Sequence, residues 1–350
     1  MDEAKRLVVN IVTWNSARYL PNLFASLDEQ DTQDFTVTVV DNASNDETVS
    51  WLLEARQDAV LLRNVRNRGF SGAHNQGIEL ALSRWGNQNL DRHYVLITNP
   101  DLEFSSTAIR VLISYMEAHP EVGACGPKLL RAIARTDEDQ EMSESSRTDM
   151  IDSTGLLIKK SRCVVDRGSG EKDNGQYDNA DEVFGLSGAC VLYRASVLAA
   201  VKVGAEYFDE DFFAYLEDVD LAWRIRLLGF QARLVPQAVA WHYRRVPSSP
   251  RSGWLASWSA RRSRSPSVNY LSTRNRGWML VKNESVIDLI LHMPWWLPYE
   301  AAKLVASILS MSQIKGQIAS LMGMPKMLVK RSKIRKHRRA KRREMRRWFV

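Results

Sequence analysis

The chain has 350 residues, of which 45% are hydrophobic and 25% charged; this is enough to bury a sizeable core and excludes a chain disordered throughout. Its formal net charge of +7 is unevenly placed, because residues 325–350 carry 13 Lys/Arg against one Glu while the rest of the chain is mildly acidic at −5. Three cysteines, Cys125, Cys163 and Cys190, are odd in number and far apart, which argues against a disulfide framework or a zinc site and for a reducing compartment.

Two acids directly follow Met1, and the apolar run after them is too short for an export signal, so no secretion signal is expected. Residues 7–14 read as an apolar, β-rich strand, and Leu20, Leu23, Phe24 and Leu27 continue it with a helical pattern. A second strand over 35–40 ends at Asp41, Ser44 or Asp46 can cap the helix after it, and 59–62 make a short third strand. Residues 73–85 read as helix, 94–98 as a strand apolar on both faces that stops at Asn99-Pro100-Asp101, and 107–118 as helix. The alternation predicts an α/β fold with a mostly parallel sheet covered by helices.

Residues 134–180 break the pattern, and the polar stretch 136–146 is expected to be an exposed loop with no chemical role. Residues 185–193 return to a strand whose small side chains let the backbone approach a ligand. Next comes DEDFFAYLEDVD, residues 209–220, where carboxylates this dense repel one another unless a cation or a proton-transfer role uses them. A second reading competes: acids favour a helix start, and Leu216, Val219, Trp223 and Leu227 are spaced as a core stripe. Asp220 and Arg224 lie i, i+4 and are expected to pair.

In an open parallel sheet, ligands bind beyond the carboxyl ends of the strands. Thr13 and Asn15, Asp41 and Asn42, and Asp101 should therefore line one crevice. Asp101 suits a divalent cation bridging nucleotide phosphates, or simply a capped Asn-Pro-Asp turn. Residues 67–77, NRGFSGAHNQG, form a glycine-punctuated run into a helix, where amides can face a ligand. They match neither the Walker pattern nor the dinucleotide glycine spacing.

Six segments occur in order: VTWN at 12–15, VVDNASND at 39–46, NRGFSG at 67–72, NPD at 99–101, SGAC at 187–190 and EDVDL at 217–221. Together they resemble the family 2 glycosyltransferases, most closely the rhamnosyltransferase-like branch, over roughly the first 245 residues, a domain-sized span. The resemblance implies a GT-A fold, a nucleotide-diphosphate sugar donor (dTDP-rhamnose in that branch) and transfer with inversion to a lipid-linked or polysaccharide acceptor in cell-surface glycan synthesis. It implies nucleotide-sugar contacts from Thr13, Asn15, Asp41, Arg68, Gly69 and Asn99. It also implies Mg²⁺ or Mn²⁺ held by Asp101 and His242, with Asn99 standing where the family motif has its first Asp. Asp218 becomes the general base and Glu217 its rival. A nucleotidyltransferase is disfavoured, since no lysine-bearing activation loop follows strand one; a catalytically idle nucleotide-sugar-binding scaffold is the other alternative.

Residues 246–285, rich in Arg, Ser and Pro near their start, are expected to form a lid or acceptor-side segment. Beyond them, 286–311 are apolar but interrupted by Pro294, Pro298 and charges, which predicts an interfacial helix rather than a span. With the basic tail it should meet an anionic membrane at the cytoplasmic face, although the same helix could instead pack on the catalytic domain or in a homo-oligomer. The tail would also suit nucleic acid electrostatically, but no RNA-binding module accompanies it and nucleic acid is not expected.

Overall fold

The computed structural model describes residues 5–86, 88–136, 142–179, 182–243, 265–307 and 310–350. Its first half builds as the sequence predicts. Strands β1 (Leu7–Thr13), β2 (Phe35–Asp41), β3 (Val60–Arg63) and β4 (Tyr94–Thr98) lie parallel in the order β3-β2-β1-β4. Helices α1 (Leu20–Asp28), α2 (Thr48–Ala55), α3 (Gly69–Trp85) and α4 (Ala108–Ala118) connect or flank them. Alternate residues of β1 face opposite layers: Leu7, Val9 and Ile11 pack with α1 and α4, while Val8 joins Ile78, Ala81 and Trp85 of α3. This two-sided burial makes the strands read as unbroken apolar runs. Asp46, not Ser44, accepts from the Thr48 amide at the start of α2, at 3.1 Å, and α3 begins at Gly69, so the glycine run is its first turn.

The other half of the sheet is mixed. After β5 (Leu102–Phe104) come β6 (Val122–Thr136), β7 (Met142–Ser153), β8 (Leu156–Ile158), β9 (Val164–Asp166), β10 (Glu182–Val183), β11 (Cys190–Arg194) and β12 (Gln231–Tyr243). Strand β11 joins antiparallel to β4 and β6, and β12 runs parallel to β6 and antiparallel to β5. The loop expected over 136–146 is corrected here: β6 reaches Thr136 and β7 starts at Met142, paired antiparallel, while 137–141 lie outside the described residues. A strand paired on one edge tolerates polar side chains, so composition misreads it. The strand expected over 185–193 begins only at Cys190, because the preceding residues leave the sheet to meet a helix.

Helix α5 (Ala195–Val201) follows β11, and α6 (Glu217–Leu227) carries the end of the acidic run. Beyond β12, the start of the segment expected to form a lid lies outside the described residues, and the described remainder is helical and packed. Residues 244–264 fall outside the described set, but α7 (Pro266–Asn283) is a helix with Asn275, Trp278, Met279 and Lys282 buried. Helices α8 (Val286–Leu291), α9 (Met293–Ser307), α10 (Met311–Lys336) and α11 (Arg342–Arg346) complete it. Trp223 of α6 packs in one cluster with Phe184, Trp278, Met327 and Phe349. The terminus is anchored: the Val350 amide donates to Ile158 at 3.0 Å, and the Arg162 guanidinium lies 3.9 Å from the Phe349 ring centre. Among the described residues no helix is long and apolar enough to cross a membrane.

Phe349→Ala should therefore cost about 3–5 kcal/mol, the usual loss for truncating a buried aromatic, visible as a lower denaturant midpoint. An unchanged midpoint would mean that the C-terminal residues do not pack on α6 in solution.

Candidate active site

The end of the expected crevice to which the resemblance assigns the nucleoside is built by the parallel register, which sets Thr13 directly beside Asp41. The Thr13 hydroxyl donates to Asp41 Oδ1 at 3.0 Å, the Ser44 hydroxyl donates to the same oxygen at 2.5 Å, and the Ser44 amide donates to Oδ2 at 3.1 Å. Asn15, in a left-handed conformation (φ 51°), accepts from the Asn45 amide at 2.8 Å and so ties the loop after β1 to that after β2. Asn42 has a positioning role that sequence reading left open. Its amide donates to the Gly69 carbonyl at 2.9 Å and its Oδ1 accepts from the Arg68 amide at 3.0 Å. Gly69 sits at φ +71°, and a Cβ there would come within 2.3 Å of the Phe213 carbonyl oxygen; only glycine fits.

That Phe213 contact joins the nucleoside end to the acidic turn. Phe213, Tyr215 and Leu216 all have positive φ, 65°, 73° and 67°, each at a cost of order 1–3 kcal/mol for a side chain with a Cβ. Helix α7 holds the turn in place. The Asn275 amide donates to the carbonyls of Phe212, Ala214 and Tyr215 at 2.9, 2.9 and 2.8 Å, and Arg274 donates to those of Asp211 and Phe212. The turn then delivers Glu217 and Asp218 to the first turn of α6. Gly188, from the SGAC segment, closes on them: its amide donates to Asp218 Oδ2 at 2.9 Å, and the Val219 amide donates to Oδ1 at 2.8 Å. A Cβ at Gly188 would lie 3.1 Å from the Asp218 Cβ.

The carboxylate crowd resolves into two groups. Lys282 lies 2.5 Å from Asp209 and 2.8 Å from Asp220; Lys330 lies 2.6 Å from Asp209 and 2.9 Å from both Glu206 and Asp211. Lys326 pairs with Asp211 and Arg68 with Glu210. The expected Asp220–Arg224 pair forms at 2.9 Å, fully buried, and Asn283 donates to the other Asp220 oxygen. Glu217 and Asp218 have no cation partner among the described residues. Burial, reinforced by Asp218, pushes Glu217 well above the usual carboxylate range. Burial also raises Asp218, opposed by the Gly188 and Val219 amides and aided by Asp166. Asp218 is partly exposed whereas Glu217 is buried with Oε2 unpartnered, so Asp218 is the one a second molecule can reach.

On the sheet side, the antiparallel pairing of β5 with β12 sets His242 opposite Leu102, next to Asp101. His242 Nε2 lies 3.3 Å from Asp101 Oδ1, and Nδ1 lies 2.8 Å from Oδ2 of Asp152, a fully buried residue of β7. Burial opposes a charge on this imidazole, but Asp101 and Asp152 outweigh it and raise His242 to about 9. The arrangement fits a divalent cation: adjacent ligands of an ion held at about 2.1 Å stand roughly 3 Å apart. A carboxylate on Nδ1 directs Nε2 to the metal as well. No cluster of three His/Cys/Asp/Glu donors suited to a metal occurs among the described residues, so phosphate and water would complete the shell. Asp152 was missed by sequence reading, since it lies in the stretch taken for an insertion. The Asn99 amide donates to the Ala189 carbonyl at 2.9 Å, which links the NPD and SGAC segments. Contacts thus link the six segments in series: Thr13 with Asp41, Asn42 with Gly69, Phe70 beside Gly188, Gly188 with Asp218, and Ala189 with Asn99.

A mixed α/β sheet with this crevice at its strand ends is the GT-A architecture of glycosyltransferases. The family described as Glycosyl transferase family 2 matches residues 8–202, and the chain belongs to that family. It is 28% identical over 283 residues to the N-acetylglucosaminyl-diphospho-decaprenol L-rhamnosyltransferase of Mycobacterium tuberculosis, covering 78% of this chain and 86% of the relative. It is 26% identical over 220 residues to the low-salt glycan biosynthesis hexosyltransferase Agl10 of Haloferax volcanii, covering 63% and 61%. Among solved structures, GalNAc-T7 with UDP, GalNAc and Mn²⁺ superposes with a TM-score of 0.54 at 10% identity, over 89% of this chain and 59% of that one. S. aureus TarS 1-349 with UDP-GlcNAc gives 0.51 at 16% identity, over 92% and 81%. This chain thus spans about three-fifths of GalNAc-T7 and of the Haloferax protein.

Asn275→Ala removes the side-chain donor of the Ala214 and Tyr215 carbonyls and leaves that of Phe212 to Arg274 alone. Turnover should fall at least about tenfold, equivalent to ~1.4 kcal/mol, with the KM for the donor little changed. Loss of donor affinity in parallel with turnover would reduce Asn275 to a general packing role.

Proposed function

We propose that the chain transfers a sugar, rhamnose from dTDP-rhamnose, to the hydroxyl of a lipid-linked or polysaccharide acceptor in cell-surface glycan synthesis, with inversion at the anomeric carbon. One observation carries this reading: of the carboxylates at the start of α6, Asp218 alone is partly exposed, without a cation partner among the described residues and oriented by two backbone amides. Thr13, Asn15, Asp41, Arg68, Gly69 and Asn99 border the donor's nucleoside and diphosphate. Asp101 and His242 would hold Mg²⁺ or Mn²⁺, which when bound neutralises charge on the leaving diphosphate. Asp218 takes the proton from the acceptor hydroxyl as that oxygen attacks C1, and a single displacement inverts the centre. Glu217, whose carboxyl burial and Asp218 hold above the usual carboxylate range, is the rival by sequence but the less accessible group. Phe213, exposed on the strained turn that precedes α6, carries an aromatic face on which an acceptor sugar can stack. The M. tuberculosis relative, named for a diphospho-decaprenol acceptor, supports a lipid-linked acceptor and a peripheral position at a membrane, for which the cytoplasmic face is our reading.

Asp218→Asn should lower turnover by about 10²–10⁴, the range for losing a general base, with donor binding retained. Persistent turnover would transfer the role to Glu217. Asp218 is raised above the ordinary value of about 3.9, and its charged form is the active one. Activity should therefore be lost as pH falls through a midpoint above that value, and kcat/KM against pH in the wild type reads it directly. A panel of nucleotide sugars, scored for protection from thermal unfolding with Mg²⁺ or Mn²⁺, tests the donor; protection by none of them would sink the transferase reading.

A further inference from the structure

Fifteen of the 22 large hydrophobic side chains exposed among the described residues fall between residues 286 and 329, so one surface, made by α8, α9 and α10, concentrates them. Over residues 286–336 there are eight Lys/Arg and only two carboxylates, Asp288 and Glu300. Both carboxylates are occupied: Asp288 pairs with Arg346 at 2.9 Å and Glu300 with Arg276 at 2.6 Å. Of the eight cations, Lys303, Lys326 and Lys330 are themselves ion-paired, which leaves Lys315, Arg331, Lys333, Arg335 and Lys336; these helices are therefore apolar and cationic with no unpaired acid among the described residues, the complement of an anionic bilayer rather than of a second copy of themselves.

Two hollows open within it. A cavity of about 330 Å³ between α7, α8, α9 and α10 is walled by Leu280, Val281, Val286, Leu289, Trp296 and Leu328, a volume at the low end for small-molecule sites. Three arginines also border it. Arg162 is paired with Glu284 and Arg276 with Glu300, but Arg331 has no carboxylate within ion-pair distance among the described residues. Arg331 is 9% exposed, and its one hydrogen bond is to the Val281 carbonyl at 2.6 Å. A buried cation without a counterion is costly unless an anion arrives. Leu328 and Arg331 also border a second hollow, of about 520 Å³, lined further by Ser332, Arg335 and Lys336. The positions 328, 331, 332 and 335 lie on one face of α10.

We propose that the two hollows form one binding site for an anionic phospholipid of the bilayer, with a segment of its acyl chain in the apolar cavity and its phosphate on Arg331, Arg335 and Lys336. The proposal rests on the membrane-associated transferase reading and assigns the contact to α10 and the helices around it, where a diffuse basic tail had been expected. Arginine binds phosphate through two parallel hydrogen bonds, which a lone headgroup at the shared wall of the hollows would receive.

The test uses the full chain in flotation with phosphatidylcholine vesicles, with or without phosphatidylglycerol, and in calorimetric titration with soluble dihexanoyl-phosphatidylglycerol. Wild type should float only with the anionic vesicles and bind the soluble lipid saturably. Arg331→Gln, and independently Leu328→Asp at the exposed rim, should each weaken both readouts by roughly five- to tenfold. The paired variant Arg342→Gln/Arg343→Gln, exposed residues outside both hollows, should weaken the soluble-lipid titration by less than twofold. Thermal unfolding and nucleotide-sugar binding are read on the same samples. An equal loss from the tail pair would overturn the site in favour of diffuse attraction. If Arg331→Gln raised the KM for a lipid-linked acceptor but left flotation untouched, the hollow would belong to the acceptor and the bilayer assignment would fail. Intact nucleotide-sugar binding without lipid binding would sink this site alone; the reverse would sink the transferase reading alone.

Discussion

Lys282 is the residue on which the catalytic half of the molecule depends. It is a fully buried ammonium between Asp209 and Asp220, and a charge in that position is tolerable only when paired and hydrogen-bonded. Both carboxylates carry further partners, Lys330 on Asp209 and Arg224 and Asn283 on Asp220. The network spans α6, α7 and α10. It fixes the start of α6 against the C-terminal helices and leaves Glu217 and Asp218 as the acids of that helix start without a cation among the described residues. The C-terminal segment therefore sets the electrostatics around the candidate site, and Trp278, Met327 and Phe349 pack it onto Trp223 of α6.

Neutralisation of their neighbours would mean little if the free carboxylates were not aimed. Three consecutive demands set the aim: a turn with three left-handed residues, an asparagine that satisfies its carbonyls, and a glycine close enough to donate to Asp218. The strain is local and its compensation comes from a distant helix. The metal half is assembled by another route. Pairing of β5 with β12 brings Asp101 beside His242, and β7 contributes Asp152 to the far side of the ring. The two halves meet through the Ala189–Asn99 hydrogen bond.

Much of this was legible in the residues. The parallel strands β1 to β4 are apolar on both faces, and such runs have few other uses. The i, i+4 spacing of Asp220 and Arg224 predicted their pair, and the order of six short segments predicted the family. What misled was composition. The polar 142–153 stretch forms β7 because its ladder to β6 satisfies the backbone whatever the side chains are, and Asp152 was hidden within it. The acidic run looked like one cluster because sequence does not show which acids will meet lysines 60 to 120 residues away.

The sequence by itself determined the α/β architecture, the strand-end residues and the presence of a carboxylate-rich turn, since each of these is written in local periodicity or in short contiguous segments. Tertiary structure alone decided which carboxylates were free, which turn was strained and what held it. Those outcomes depend on burial and on pairing between distant segments, and the energy of a charge or a left-handed residue is set by its neighbours in space rather than along the chain.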